Sequence, residues 1–224
     1  MIIKEIYRTL QGETTRIGEP CVIVRLTACN LHCSYCDTEY AMEGGKEMSV
    51  EEVLQRIAEL DTKLTVITGG EPLLQADSSR LISELLDKGH DIQVETNGAK
   101  DIGVIDKRAS VIMDLKCPSS GESEKNLLSN IQKLKSGDEV KFVIGTKEDY
   151  EWAKNIMRSE KFPEGCSKVF SWAAPTHSKL QSASREQYKL NRKELADLIL
   201  SDKLDVRFIP QLQKIIWGYE TDSI

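Results

Sequence analysis

The sequence predicts an α/β protein built as a partial, incomplete TIM-like barrel of parallel strands. Three observations carry that expectation. Short apolar runs of strand length alternate with longer amphipathic segments along most of the 224 residues, the rhythm of repeated strand–helix units. About six or seven such units can be counted, fewer than the eight that close a full barrel. Each fragment rich in glycine, cysteine or polar side chains directly follows an apolar run, and the loops at the carboxyl ends of parallel strands are where such folds bind ligands.

Taken in order, residues 1–20, with IIKEIYRTLQGE, stand outside the repeat as an N-terminal strand or extension. CVIVRLTA (21–28) is the first repeating strand, near-continuously apolar as strands covered on both faces are. MSVEEVLQRIAEL follows as a helix, with Ser49 and Glu52 at capping-box spacing and Val50, Val53, Leu54, Ile57 and Leu60 on one stripe. LTVITGG (64–70) is a strand, and SSRLISELLDKG a helix stopped by Gly89. DIQVETNG (91–98) and SVIMDLKCP (110–118) are strands, and SEKNLLSNIQKL has a helical pattern. EVKFVIGT (139–146), the helix KEDYEWAKNIMRS and the strand SKVFSWAAP (167–175) continue the alternation. The polar stretch 177–190 breaks it as an insertion or mobile loop, before the helix RKELADLILSDK and a last strand, LDVRFIPQL (204–212). No linker divides the chain, so one domain is expected over 1–224.

Thirty basic residues against 36 acidic ones give a net charge of −6, with no block of Lys and Arg. Sequence-independent binding to nucleic acid or to a membrane surface is therefore not expected. There is no long apolar run and no signal-peptide pattern, so the chain reads as cytoplasmic. In a reducing compartment, six cysteines point to metal or catalytic roles rather than to a disulfide framework.

Cys29, Cys33 and Cys36 form a C-x3-C-x2-C run. Cubane iron–sulfur clusters normally take four cysteines, so a triplet leaves one iron open to a substrate or cofactor. A structural zinc site is the alternative, although such sites close four ligands and favour paired CxxC knuckles, and His32 lies inside the loop. Cys21, Cys117 and Cys166 read as buried or loop residues. Gly69 and Gly70 in TGGEP allow close backbone approach to a ligand, or simply a strand-to-helix turn. Glu95, Thr96 and Asn97 in ETNG are placed to hydrogen-bond ribose or an amino group, with Asn-Gly turn chemistry as the other reading. DLKCPSSG offers amides and the Ser119 and Ser120 hydroxyls. Asp37 and Thr38 follow the last cysteine as oxygen ligands for a hard cation, or as a helix cap. Gln11, Gly12 and Glu13 supply an amide and a carboxylate able to read the donor edge of a heterocycle. Arg25, charged within an apolar strand, needs a carboxylate partner on the protein or on a ligand, and taken alone an internal salt bridge explains it. There is no G-x-S-x-G, P-loop or G-x-G-x-x-G.

The cysteine triplet with GGEP and ETNG resembles the radical S-adenosylmethionine superfamily, and EIYRTLQGE, VIVRLTACNLHCSYCDT, ITGGEPLLQ, ETNG, DLKCPSSG, VKFVI and QLQKIIWG resemble, in order, the 7-carboxy-7-deazaguanine synthase family. The resemblance spans nearly the whole chain. It implies a radical S-adenosylmethionine core and a lyase that contracts 6-carboxy-5,6,7,8-tetrahydropterin to 7-carboxy-7-deazaguanine with loss of ammonia, in the 7-deazapurine (queuosine precursor) pathway. It implies a [4Fe–4S] cluster on Cys29, Cys33 and Cys36, S-adenosylmethionine chelated at the open iron, and a 5′-deoxyadenosyl radical formed on the cofactor, so that no side chain is named as catalytic. Mg2+ would sit on Thr38. Leu10, Gln11, Gly12, Glu13, Arg25 and Thr68 would contact the pterin, with Arg25 on its carboxylate. Gly70, Glu95, Thr96, Asn97, Cys117, Pro118 and Ser119 would surround S-adenosylmethionine. The resemblance also implies a homodimer and a reductant such as flavodoxin or ferredoxin. The chain departs from the family pattern at Thr14 and Ala28, where Gly is common, and at Gln213, where His is common. A glycyl-radical activase, or a non-catalytic iron–sulfur or zinc protein, are the alternative classes.

Overall fold

The computed structural model describes residues 1–174 and 190–218. Among these residues nine strands form one sheet: β1 (Ile2–Leu10), β2 (Pro20–Leu26), β3 (Lys46–Glu47), β4 (Leu64–Gly69), β5 (Asp91–Thr96), β6 (Ser110–Leu115), β7 (Glu139–Ile144), β8 (Ser167–Trp172) and β9 (Arg207–Phe208). Their order is β3-β1-β2-β4-β5-β6-β7-β8-β9. From β2 onward every neighbouring pair is parallel. The sheet does not close, and β3 and β9 are its edges, which is the partial barrel expected. The N-terminal segment joins the sheet as β1, antiparallel to both β2 and β3, so the opening residues extend the barrel wall.

Local chemistry sets the helix ends. In α1 (Val50–Glu59) the Ser49 hydroxyl accepts from the Glu52 amide at 3.1 Å, and the Glu52 carboxylate accepts from the Ser49 amide at 2.7 Å. α2 (Asp77–Asp87) stops before Gly89, whose φ is +86°. Reciprocal caps from Thr146 with Asp149 and from Asn191 with Glu194 open α3 (Lys147–Ser159) and α4 (Arg192–Ser201). These helices bury Val53, Ile57, Leu81, Leu85, Tyr150, Ala153, Leu195 and Ile199 against Val22, Val24, Ile67, Val94, Met113, Val140, Phe142 and Phe170 of the strands.

Two expectations are corrected. Residues 123–134 form 3-10 turns at Ser123–Lys125 and Leu128–Lys133 rather than an α-helix. The Asn126 amide donates to the Lys116 and Ser123 carbonyls, and the Asn130 amide to the Gly98 and Lys100 carbonyls. Both asparagines thereby tie their segment to distant backbone in competition with a helical ladder. The last strand pairs only at Arg207–Phe208. Pro210, which has no amide donor, follows, and the chain turns into α5 (Leu212–Trp217). Of 177–190, all but Leu190 lies outside the described residues, as does Pro175 of AAP.

The strands are less uniformly apolar than their composition suggests. On the face opposite the helices Cys21, Ile23, Leu64 and Val66 make a small apolar cluster, with Tyr7 against it. Further along the same period-2 rows stand Arg25, Thr68, Glu95, Asp114 and Lys141, and these line a cavity.

Candidate active site

The cavity, about 300 Å³, lies where the parallel strands end, between the β1–β2 turn, the cysteine loop after β2 and the α5 segment. It collects Leu10, Gln11, Gly12, Glu13, Arg25, the three cysteines, Thr38, Thr68, Gly70, Glu95, Thr96 and Asn97, fragments scattered along the first 97 residues. Cys117, Pro118 and Ser119 are not in its lining. Cys117 is fully buried, and the Ser119 hydroxyl and amide donate to Asp149 at 2.6 and 2.8 Å. Their segment braces the cysteine loop: the Ser34 amide donates to the Ser120 carbonyl at 2.9 Å and the Ser34 hydroxyl to the Ser119 carbonyl at 2.6 Å.

One wall is built from the cysteine loop and the turns after β4 and β5. A Cβ on Gly70 would run into the Ala28 carbonyl, so glycine is needed for the two loops to meet. Behind it, the buried Glu71 carboxylate accepts from the Leu73 amide at 2.9 Å, the Thr96 hydroxyl at 2.9 Å and the Asn97 amide at 2.8 Å. That one side chain locks GGEP to ETNG. The Asn97 side-chain amide then donates to Asn30 at 3.0 Å and lies 3.6 Å from the Cys29 sulfur, which also receives the Leu31 amide at 3.4 Å. All three thiols are free and half-buried. Burial pushes the Cys33 thiol up to about 11 and raises that of Cys36. Such thiols become thiolates when a cation is supplied, and the N–H donors aimed at Cys29 suit a ligated sulfur. The donor set and its surroundings therefore fit an iron–sulfur cluster. Thr38 lines the cavity with its hydroxyl 3.8 Å from the Cys36 sulfur.

The opposite wall is made of charges. The Glu13 carboxylate accepts from Lys141 Nζ at 3.0 Å, from the Gln211 amide at 2.8 Å and from the Gln213 amide at 2.5 Å. Burial alone would raise its pKa, but Lys141 in particular, then Lys214 and Gln211, hold it below the usual carboxylate value. Asp37 is held down at about 2, burial being outweighed by Lys214 at 2.7 Å, with the Gln211 amide at 3.1 Å. The α5 segment thus clips to both the β1–β2 turn and the cysteine loop. Gly12 allows that approach, because a Cβ there would overlap the Gln213 side-chain amide. The Gln213 side-chain oxygen, Oε1, is buried without a hydrogen-bond partner among the described residues.

Arg25 finds the internal salt bridge that the sequence allowed. Its Nε donates to Glu5 at 2.6 Å, Tyr40 donates to the same oxygen at 2.7 Å, and the guanidinium lies 6.0 Å from the Tyr40 ring centre. Between the walls, Glu95 accepts from Thr68 at 3.2 Å and from Gln11 at 3.3 Å, and burial raises its pKa. Glu5, Glu71, Asp114, Lys116, Lys141 and Lys214 were not singled out by sequence reasoning. The signal for three of them was present as polar residues at period-2 positions in DLK and EVK, aligned across the sheet as Asp114 and Lys141 are in the register.

Residues 23–120 match the Radical SAM superfamily. The chain is 38% identical over its whole length to a 7-carboxy-7-deazaguanine synthase of Koribacter versatilis, itself covered completely. It is 39% identical to one of Methanospirillum hungatei across 96% of this chain and 85% of that protein. Its fold is like that of crystalline QueE from Escherichia coli, with a TM-score of 0.72, 21% identity and coverage of 94% and 93% of the two chains.

Proposed function

The chain belongs to the 7-carboxy-7-deazaguanine synthase family of the radical S-adenosylmethionine superfamily, and we propose how its own residues carry that family's reaction. The enzyme is a lyase that converts 6-carboxy-5,6,7,8-tetrahydropterin to 7-carboxy-7-deazaguanine and ammonia in 7-deazapurine biosynthesis. The observation that carries the residue assignments is the meeting, in one cavity, of the cysteine triplet with the Leu10–Glu13 turn, Arg25 and Thr68.

Cys29, Cys33 and Cys36 hold the [4Fe–4S] cluster, and Asn97 and the Leu31 amide support the Cys29 sulfur. When bound and reduced, the cluster supplies the electron that cleaves S-adenosylmethionine and so starts the radical chemistry. Gly70, Glu95, Thr96 and Asn97 form the protein side of the S-adenosylmethionine shell. The strand-end segment Cys117–Ser119 serves that shell by holding the cysteine loop in place. Glu13 and Gln11 read the donor edge of the pterin, and Thr68 orients it. Arg25 takes the pterin carboxylate on its terminal nitrogens, while Glu5 steadies Nε. Thr38 would contribute an oxygen to Mg2+, and such a cation would supply positive charge for orienting the substrate. The walls position the substrate and exclude water, and neither donates a nucleophile. The protein acts as a single-domain homodimer in the cytoplasm, fed by a flavodoxin- or ferredoxin-type reductant, and does not act on nucleic acid directly. Among the described residues, no helix is long and apolar enough to cross a membrane.

Anaerobically reconstituted protein given reductant, S-adenosylmethionine, Mg2+ and the carboxytetrahydropterin should release ammonia and the deazapurine together. Formation of 5′-deoxyadenosine with no deazapurine would overturn the substrate and leave the radical class standing.

A further inference from the structure

We propose that Lys141 is a positioning residue of the substrate site: its ammonium, set between Glu13 and Asp114, fixes Glu13 as a carboxylate acceptor and so makes the site selective for a ligand edge of adjacent N–H donors. The inference rests on the pterin reading above and adds to it a residue that reaches the substrate through another.

The geometry is specific. Lys141 comes from β7, on the inner row of the sheet, with its side chain only 9% exposed. Its Nζ lies 3.0 Å from Glu13 and 3.5 Å from Asp114, and Asp114 is itself 3.1 Å from Lys116. A chain of alternating charge therefore runs from the Glu13 turn across the cavity to Lys116. Burying an ammonium is costly, and an apolar side chain would fill the same strand position without that cost. The two amide donors on Glu13, from Gln211 and Gln213, both go to Oε1. Lys141 is the donor that meets Oε2.

The charges facing Glu13 make the consequence calculable in sign. Asp37 from the cysteine loop and Glu95 from β5 oppose its ionisation, as burial does, whereas Lys141 and the α5 residue Lys214 favour it. With Lys141 gone, burial and two carboxylates are opposed only by Lys214 and the amide donors on Oε1, and Glu13 takes up a proton at a higher pH. A protonated Glu13 turns one acceptor oxygen into a donor and clashes with an N–H edge.

The test measures binding of 6-carboxytetrahydropterin by calorimetry to holoenzyme loaded with S-adenosylmethionine but left unreduced, beside steady-state turnover. Lys141→Met should weaken binding about tenfold and raise KM more than it lowers kcat. The loss should deepen as pH falls, over a range in which the parent protein stays flat. Lys141→Arg, which keeps the charge, should stay within about threefold of the parent. In the background of Glu13→Gln, the same Lys141→Met change should cost less than about twofold, because its target is gone. Parent-like binding by Lys141→Met, a loss indifferent to pH, or full additivity with Glu13→Gln would overturn the inference alone, provided the parent enzyme makes the deazapurine. A parent enzyme that neither binds nor converts the pterin overturns the pterin reading and this inference together.

Discussion

The two walls of the cavity are assembled by different physics. The cysteine wall is held mainly by hydrogen bonds among backbone, neutral side chains and the buried Glu71 carboxylate, such as Ser34 on the Ser119 and Ser120 carbonyls, Asn97 on Asn30 and Thr96 on Glu71, with the Gly70–Ala28 contact between the loops. The wall opposite is held by ion pairs: Glu13 with Lys141, Asp37 with Lys214, Arg25 with Glu5. A cluster demands fixed sulfur positions and brings its own charge, so a wall of short backbone contacts serves it. A polar, carboxylated substrate needs charges already oriented before it arrives, and these come in pairs because a lone buried charge is expensive. The walls should therefore fail differently, one by packing, the other by pH and salt.

The largest effect expected is on the cysteine wall. Cys33→Ala removes one of the three cysteines proposed to hold the cluster and should abolish both iron incorporation and 5′-deoxyadenosine formation, read as iron per chain and by product analysis. A variant that kept a full cluster would move the third ligand elsewhere and break the assignment. Gly70→Ala should come next. Its Cβ meets backbone rather than a flexible side chain, so the loops must part, at about 1–3 kcal/mol in thermal unfolding and with lower iron content. Salt should not rescue it.

How far these walls were legible in the sequence follows the same division. The cysteine wall is local: its ligands lie within eight positions, and GGEP and ETNG each follow a strand whose apolar run is plain. Strand and helix spans were readable for the same reason, because period and caps are short-range signals. The charged wall is not local. Glu13 meets partners 128, 198 and 200 residues away, and Asp37 partners at 174 and 177. No spacing rule links them; only the register of the strands and the turn into α5 do. Residues 123–134 misled for a related reason: their helical pattern is real, but Asn126 and Asn130 spend their amides on backbone that only the fold brings near.

The charged wall should loosen in acid. The pKa of Glu13 is lowered in the folded protein, so its contribution to stability is present above its unfolded value, near 4.3, and is lost as pH falls through the folded one. Hydrogen exchange across 211–218 should therefore rise below about pH 4 while the cysteine loop stays protected. Lys214→Met should mimic part of this at neutral pH. Because Asp37 is about a third exposed, the pair is worth about 1 kcal/mol or less. High salt should loosen the same segment in the parent protein. Equal protection in all conditions would mean that α5 is held by its apolar residues instead.

The smallest effect is predicted at Ala28, and it sharpens the contrast most. Ala28 has φ of +77°, a left-handed conformation that costs a side-chain-bearing residue about 1–2 kcal/mol. The residue persists there because its own amide donates to the Ala41 carbonyl and its carbonyl accepts from the Glu71 amide at 2.8 Å, so the surrounding backbone dictates its conformation. Ala28→Gly removes the strain but gives the unfolded chain more freedom, an opposing loss of about 0.4–1 kcal/mol. The balance favours the variant by several tenths of a kcal/mol, visible as a small rise in thermal midpoint with the cluster content unchanged. A drop instead would mean that the Ala28 methyl packs usefully against the loop. A gain that vanished at high salt would mean that charge reaches this wall too, and the division between the walls would no longer hold.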